Sequence, residues 1–257
     1  RSRKFIFATV GDNKFVNKDY VGNLDEYTGV ELRAYRFGDW DVSAGAYFDE
    51  WNYDRHVVDE YYPQSGDRVW ASMDYGYNHW NCWYLHAKTP DGMIYTFAEM
   101  THRKHYPHEI APEFKDLLEE FGLSLYNLTA NYAGGDVWNK TGQSVESIAD
   151  QYAALGIKLT RAITDPGSRI AGAHHMARLL GNHERDIPPM WFVAKRCTRL
   201  VDTIPMMERN PNNPEDVRKV DATPDGDGGD DAYDGGRYGL YTEKPKGRLT
   251  VSHRQTI

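Results

Sequence analysis

VWASMDYGY, residues 69–77, is a short apolar run that ends on an acid, Asp74, followed by Tyr75 and Gly76. The run reads as a buried strand. An aspartate at its end stands at the rim of a core sheet, fixed by the strand yet open to solvent. A glycine two residues on lets a ligand or another chain segment come close to the backbone. A carboxylate on so rigid a mount suits a divalent cation such as Mg²⁺. Strand-end aspartates also commonly start turns, so the metal reading depends on further acids at comparable places.

Outward from this run, two segments, Asn81–Lys88 and 93–100, flank Thr89-Pro90-Asp91-Gly92. Pro-Asp-Gly between apolar runs predicts a β-hairpin and, with 69–74, three sequential antiparallel strands. Phe114, Leu117, Leu118 and Phe121 then recur at helical spacing, with Pro112 near the start and Gly122 at the end. Residues 125–132 read as a strand released by Ala133-Gly134-Gly135 into Asp136. A helix with Val145, Ile148, Ala149 and Tyr152 on one face follows, with Ser144 as N-cap and Gly156 as stop. Next come a strand at 158–163, a helix capped by Ser168 through Leu180, and a strand at 188–194. Residues 198–208 read as a helix shortened or kinked by Pro205, 210–227 as a loop, 230–241 as the last helix, and 242–257 as a basic tail. Lys4 to Val10 reads as a further strand. The order predicts an α/β fold in which three antiparallel strands lead into alternating helices and strands, one mixed sheet with helices on its faces.

With 257 residues the chain suits one large domain, or one domain with an appendage, and can bury a sizeable core. At 40% hydrophobic and 26% charged residues the composition is that of a globular protein, and no apolar run approaches the length that crosses a bilayer. The chain starts at Arg1 with no signal peptide in view, so it is expected to be a piece of a longer one. Cys82 and Cys197 fit no zinc pattern and favour a reducing, intracellular setting. A net charge of −8 argues at first against nucleic acid. Its distribution matters more than its sum: acids crowd into 225–234, while His102-Arg103-Lys104-His105, Lys195-Arg196 and Arg199 form basic clusters. A metal nuclease needs both signs.

Asp136 ends its strand as Asp74 does, and the third group of acids is GGDDAYDGGRYGL, residues 228–240. Acids at a helix start are favoured by the helix dipole, which makes capping the plain role for Asp230 and Asp231. Asp231 and Asp234 also share one helical face, within reach of a single cation. A calcium loop starting at Asp225 fails its pattern, with Gly229 at position five, Asp230 at six and Gly236 at twelve. No GxxxxGK[ST] occurs, so the chain should not hydrolyse ATP by itself. Gly235 and Gly236 should each weaken the last helix by about 0.5–1 kcal/mol relative to alanine, letting its start shift when metal or DNA arrives.

MDYGY at 73–77, the acid at Asp136 and DDAYDGGRYGL at 230–240 resemble the C-terminal nuclease domain of the large terminase subunit of tailed phages. DYVGNL (19–24), FGDWDVSAGAYFDEW (37–51) and HVV (56–58) are similar to the segment that joins ATPase to nuclease in that family. The resemblance implies a ribonuclease H-like fold, with residues 1–66 as the tail of a preceding ATPase domain plus a linker packed on a nuclease domain at 67–257. It implies Asp74 bridging two Mg²⁺ or Mn²⁺ ions and Asp136 holding one. The last cluster completes the site, Asp231 first, then Asp230 and Asp234. Family members often carry a histidine near Asp231 and Ala-Leu where this chain has Gly235-Gly236. The expected reaction is endonucleolytic cleavage of double-stranded DNA during genome packaging, with little sequence readout. Implied partners are the chain's own ATPase domain, a small terminase subunit and the portal, in the host cell cytoplasm. Arg103, Lys104 and Lys140 are candidate phosphate contacts, with solvated surface charge as the plain alternative. Other readings are a resolvase or transposase core, or a docking module that binds DNA without hydrolysis.

Overall fold

The structure, a computed structural model, describes residues 45–140 and 146–243. Seven strands form the main sheet: β1 (Val57–Val58), β2 (Arg68–Asp74), β3 (Asn81–Lys88), β4 (Ile94–His102), β5 (Leu128–Ala133), β6 (Thr160–Arg161) and β7 (Trp191–Ala194), in the order β1-β7-β4-β3-β2-β5-β6. The expected hairpin is present, with Asp74 opposite Cys82 across β2 and β3 and Asn81 opposite His102 across β3 and β4. The remaining pairs, β1 with β7, β7 with β4, β2 with β5 and β5 with β6, are parallel. Thus β3 alone runs against the other six, and the C-terminal ends of β2 and β5 open on the same edge. The crevice beyond the carboxyl ends of parallel strands is where α/β sheets bind ligands.

Helices cover both faces: α1 (Tyr53–His56), α2 (Pro107–Glu120), α3 (Ile148–Ala154), α4 (Ser168–Leu179), α5 (Thr198–Thr203) and α6 (Asp231–Thr242). Strand alternation decides which face each side chain joins. Val69, Ala71 and Met73 pack with Ile110, Phe114 and Leu118 of α2 and Tyr152 of α3. Trp70, with Cys82 and Tyr84 of β3, packs with Met176, Leu200, Tyr233 and Leu240 on the other face. Asp74 shares the parity of Trp70 and Ser72, and this directs it to the α6 face.

Several expectations shift in detail. The first long helix starts at Pro107 rather than near Pro112; proline suits that first-turn position. The α3 cap is Ser147, whose hydroxyl accepts the Asp150 N–H at 3.1 Å, while Ser144 lies outside the described residues. Residues 125–132 divide into a 3-10 turn, Leu125–Asn127, and β5. The strands expected at 158–163 and 188–194 shrink to β6 and β7. Ser168 stands inside α4 and Gly167 precedes it with φ 84°. Pro205 ends α5 in a 3-10 turn, Ile204–Met206, as expected. The stretch taken as loop contains a hairpin, β8 (Arg209–Asn210) and β9 (Asn213–Val217), hidden in sequence by its polar, proline-bearing strand NPEDV.

In the stretch expected as linker, Tyr47, Phe48 and Trp51 are buried in the α6-side core and Val57–Val58 extend the sheet. The expected strand from Lys4 to Val10, the motif at 19–24 and the basic tail beyond Glu243 lie outside the described residues. Cys82 and Cys197 are buried free thiols. Among the described residues no helix is long and apolar enough to cross a membrane.

Candidate metal centre

Three elements bring the predicted acids together. Asp74 ends β2, Asp136 stands in the 3-10 turn Gly135–Trp138 just past β5, and Asp231 opens α6. With Asp230 and Asp234 they line one cleft of about 470 Å³. Gly134 makes room for this meeting, since a Cβ there would fall 2.9 Å from Asp136 Oδ1 and 3.0 Å from the Tyr238 ring. Gly76 does the same for the 75–80 loop, where a Cβ would fall 2.8 Å from the His79 backbone.

Helix α6 presses directly on the sheet. A Cβ on Gly235 would lie 3.0 Å from the Tyr84 ring, 3.1 Å from the Cys82 carbonyl and 3.3 Å from the Asp74 nitrogen. One on Gly239 would lie 2.6 Å from both His86 Nε2 and Ser72 Oγ. The expectation that the glycines loosen this helix is therefore replaced by close approach at Gly235 and Gly239, while Gly236 meets only a Leu200 methyl at 3.4 Å. A buried hydrogen-bonded chain fixes the contact. Trp191 Nε1–H donates to Thr96 Oγ1 at 2.9 Å, and the Thr96 hydroxyl faces His86 Nδ1 at 2.9 Å. His86 Nε2 meets Ser72 Oγ at 2.8 Å, and the Ser72 hydroxyl donates to the Gly235 carbonyl at 2.7 Å. Burial pushes His86 down to about 3, which keeps its imidazole neutral.

The acids are not equivalent. Asp74 keeps part of its surface open to the cleft. Burial holds its carboxyl well above the usual range, and repulsion from Asp234, Asp136 and Asp231 adds to this against the pull of Arg237. Asp231 is also raised by burial, opposed by the Trp80 N–H that reaches its Oδ2 at 3.4 Å. Asp230 and Asp234 turn to arginines. Arg169 Nη2 donates to Asp230 Oδ2 at 2.8 Å, and its Nη1 donates to both Asp234 oxygens at 3.2 and 3.0 Å. Arg237 Nε donates to Asp234 Oδ1 at 3.0 Å, and its Nη2 lies 3.0 Å from the same oxygen. Burial alone would lower Arg169; Asp234, Asp230 and Tyr233 outweigh it and hold the guanidinium above its ordinary value. Arg169 carried no sequence signal of its own, although buried acids require a counter-ion somewhere in the chain.

Lys219, Asp221, His79 and Thr164 also line the cleft from loops and were not anticipated. The three cations expected at phosphate do not line it. Arg103 donates to the Asn78 carbonyl at 3.1 and 3.2 Å and to the Pro224 carbonyl at 3.1 Å, tying two loops together. Lys104 is exposed in a left-handed turn with φ 59°, its N–H on the Tyr77 carbonyl. Lys140 is exposed at the end of a described segment, near Asp150. The Asp-rich loop gives its carbonyls to side chains: Gly226 accepts from Trp80 Nε1 at 2.9 Å and Gly228 from Arg199 at 2.8 Å. A calcium loop would turn such oxygens to the ion.

The donors on offer are carboxylate oxygens, the chemistry that Mg²⁺ and Mn²⁺ take. Among the described residues no three acidic, histidine or cysteine side chains converge as a finished ligand set. The acids face one another across the cleft. That arrangement suits Mg²⁺, which keeps several waters and takes one or two carboxylates together with substrate phosphate.

No family model matches the sequence, and no curated protein does. Solved structures do. A full-length large terminase from a thermophilic bacteriophage is similar at TM-score 0.58 and 18% identity, covering 91% of this chain and 54% of that one. The P22 large terminase nuclease domain is similar at TM-score 0.55 and 17% identity, covering 78% of this chain and 92% of that one. The large terminase nuclease of the thermophilic phage G20c, with bound cobalt, is similar at TM-score 0.50 and 14% identity, covering 78% of this chain and 98% of that one. This chain thus spans about half the length of the first of these terminases. At these identities the likeness is one of fold, and the chain has the mixed α/β, ribonuclease H-like fold of large terminase nuclease domains.

Proposed function

We propose that this chain is the metal-dependent endonuclease domain of a phage DNA-packaging terminase, cleaving double-stranded DNA by two-metal phosphodiester hydrolysis. The observation that carries the reading is the meeting of Asp74, Asp136 and Asp231, from three separate elements, on one cleft. The repulsion that raises Asp74 is what a bound cation would relieve. Asp74, coupled to both Asp136 and Asp231, is the carboxylate to be shared between two ions, with Asp136 serving one and Asp231 the other. When bound, the ions would supply water activation and stabilise the leaving oxygen.

The chain's own part is orientation. β2 and the close packing of α6 hold Asp74 and Asp231 on rigid mounts. Lys219 and His79 give the cleft its positive groups, placed for phosphate oxygens. Lys104 and Lys140, exposed beyond the cleft, serve outlying phosphates at most, while Arg103 braces loops. Contacts of this kind read backbone rather than bases, giving little sequence specificity and a strong salt dependence. As part of a terminase the domain would work with an ATPase domain of the same full-length chain, a small terminase subunit and the portal, in the host cytoplasm. Residues 1–66 would then lead from that ATPase domain into a nuclease at 67–257.

Supercoiled plasmid incubated with Mg²⁺, Mn²⁺, Ca²⁺ or EDTA tests the proposal. Nicked and linear products in Mg²⁺ or Mn²⁺ but not in EDTA are expected. DNA binding with no cleavage in any metal would reject the nuclease in favour of a docking module.

A further inference from the structure

Asp230, Asp231 and Asp234 are three acids within one helical turn, yet they meet different chemistry. Asp234 is buried and accepts from two guanidinium groups, Arg169 of α4 and Arg237 of its own helix. Asp230 is buried and accepts from Arg169. The same Arg169 reaches Asp216 of β9 at 3.4 Å. Both guanidinium groups lie over the Tyr233 ring, at 5.7 and 5.8 Å from its centre. Gly172 of α4 leaves the space that Arg237 fills, since a Cβ there would fall 2.9 Å from two carbons of its side chain. The arginines are thus built into the packing.

From this we infer that Arg169 and Arg237 remove Asp234 and Asp230 from the ligand set, leaving Asp74, Asp136 and Asp231 as the carboxylates that take divalent metal. The inference rests on the reading of the cleft as a metal centre. Arg169 is a positioning residue: by holding Asp230 and Asp234 it fixes the first turn of α6 and so the direction of Asp231. A carboxylate that already accepts charge-assisted hydrogen bonds from two arginines gains little by exchanging them for a cation. An acid whose one donor is a 3.4 Å backbone N–H has its oxygens to give. Left unpaired, all three acids would compete for the ion and offer it several geometries.

The test reads Mn²⁺ binding by electron paramagnetic resonance, without turnover. Wild type, Asp231→Asn, Asp234→Asn and the double variant Arg169→Gln/Asp234→Asn are compared. Asp231→Asn removes a ligand and should weaken Mn²⁺ about tenfold or more. Asp234→Asn alone leaves the arginines with one negative charge fewer, so it also weakens binding. The double variant restores the charge balance and should return the affinity to within about threefold of wild type, a rescue that a lost ligand does not allow. A double variant as weak as Asp231→Asn would overturn the inference while leaving the metal centre standing. Wild type that binds no Mn²⁺ would overturn both. A second measurement needs no variant. The ¹⁵Nε resonance of Arg237 in the wild-type protein should hold its position through a Mg²⁺ titration, because its bond to Asp234 persists. A large shift or its loss at saturating Mg²⁺ would mean that Asp234 changes partner, and the inference would fall.

Discussion

Replacing the glycines of α6 by alanine, one at a time, separates two physical pictures of this helix by the sign of the effect. If glycine only costs helix stability, each substitution should stabilise the protein by up to about 1 kcal/mol. The contacts say otherwise at two of the three positions. At Gly239 the new methyl would lie 2.6 Å from His86 Nε2 and Ser72 Oγ, which are already held in the buried hydrogen-bonded chain. At Gly235 it would meet the Cys82 carbonyl at 3.1 Å, part of a central strand that cannot withdraw. Forcing an extra methyl into a packed interior costs about 1–3 kcal/mol. Pushing α6 outward also strains the Ser72–Gly235 bond, a loss of about 1 kcal/mol. Set against the helix gain, Gly235→Ala and Gly239→Ala should each destabilise by about 1–2 kcal/mol. For a domain of this size that lowers Tm by roughly 3–6 °C. Gly236→Ala meets only Leu200 Cδ1 at 3.4 Å and should be neutral or raise Tm by about 2 °C. Differential scanning calorimetry of the three variants reads this directly. A rise in Tm for Gly239→Ala would refute the packing argument and restore the view of a helix loosened by its glycines.

His86 gives a pH signature with a definite sign. Its folded value of about 3 lies below the ordinary 6.5, so between the two the unfolded chain binds a proton that the native state refuses. The stability is fully present above about pH 6.5 and is lost as pH falls towards 3, at up to about 1.4 kcal/mol per unit. Urea titrations at pH 7.5, 6 and 5 should show a shallower loss for His86→Gln than for wild type; parallel losses would remove His86 from the account. Lys219→Gln should weaken DNA binding and flatten the dependence of log K on log salt by about 0.9, and an unchanged slope would take Lys219 off the phosphate. Trp80→Leu removes the Nε1 donor to Gly226 and the ring on which Arg199 lies at 3.8 Å. Amide exchange at Gly226 and Asp227 should quicken while β2 to β4 stay protected; unchanged exchange there would show that the loop is held otherwise.

The sequence carried the centre of the fold well because its signals there are local. Pro90-Asp91-Gly92 sets the hairpin, the spacing of Phe114 and Leu118 sets α2, and each strand-end acid follows an apolar run. The weakest readings fell where tertiary contact decides. β6 holds only Thr160 and Arg161, a length that no periodicity reveals, and β9 spells NPEDV, whose polar residues and proline read as loop. The site was legible as three groups of acids, since carboxylates at strand and helix ends have a physical reason to be there. Which acids are spoken for was not legible. That depends on Arg169, 61 residues before Asp230 in sequence and brought to it by the packing of α4 on α6. The glycines were misjudged for the same reason. Propensity is written in the helix itself, whereas the space that Gly239 leaves is set by Ser72 and His86 on two other strands.

The central claim is that Asp74, Asp136 and Asp231 act together on a phosphodiester through divalent metal. The measurement that tests it most directly is plasmid cleavage in Mn²⁺ by Asp74→Asn, Asp136→Asn and Asp231→Asn, each shown folded by calorimetry, beside the exposed α5 acid variant Asp202→Asn. Metal-borne charge stabilisation amounts to several kcal/mol, so each of the three should lose at least roughly a hundredfold in rate while Asp202→Asn keeps the wild-type rate. Wild-type cleavage by any one of the three would contradict the account.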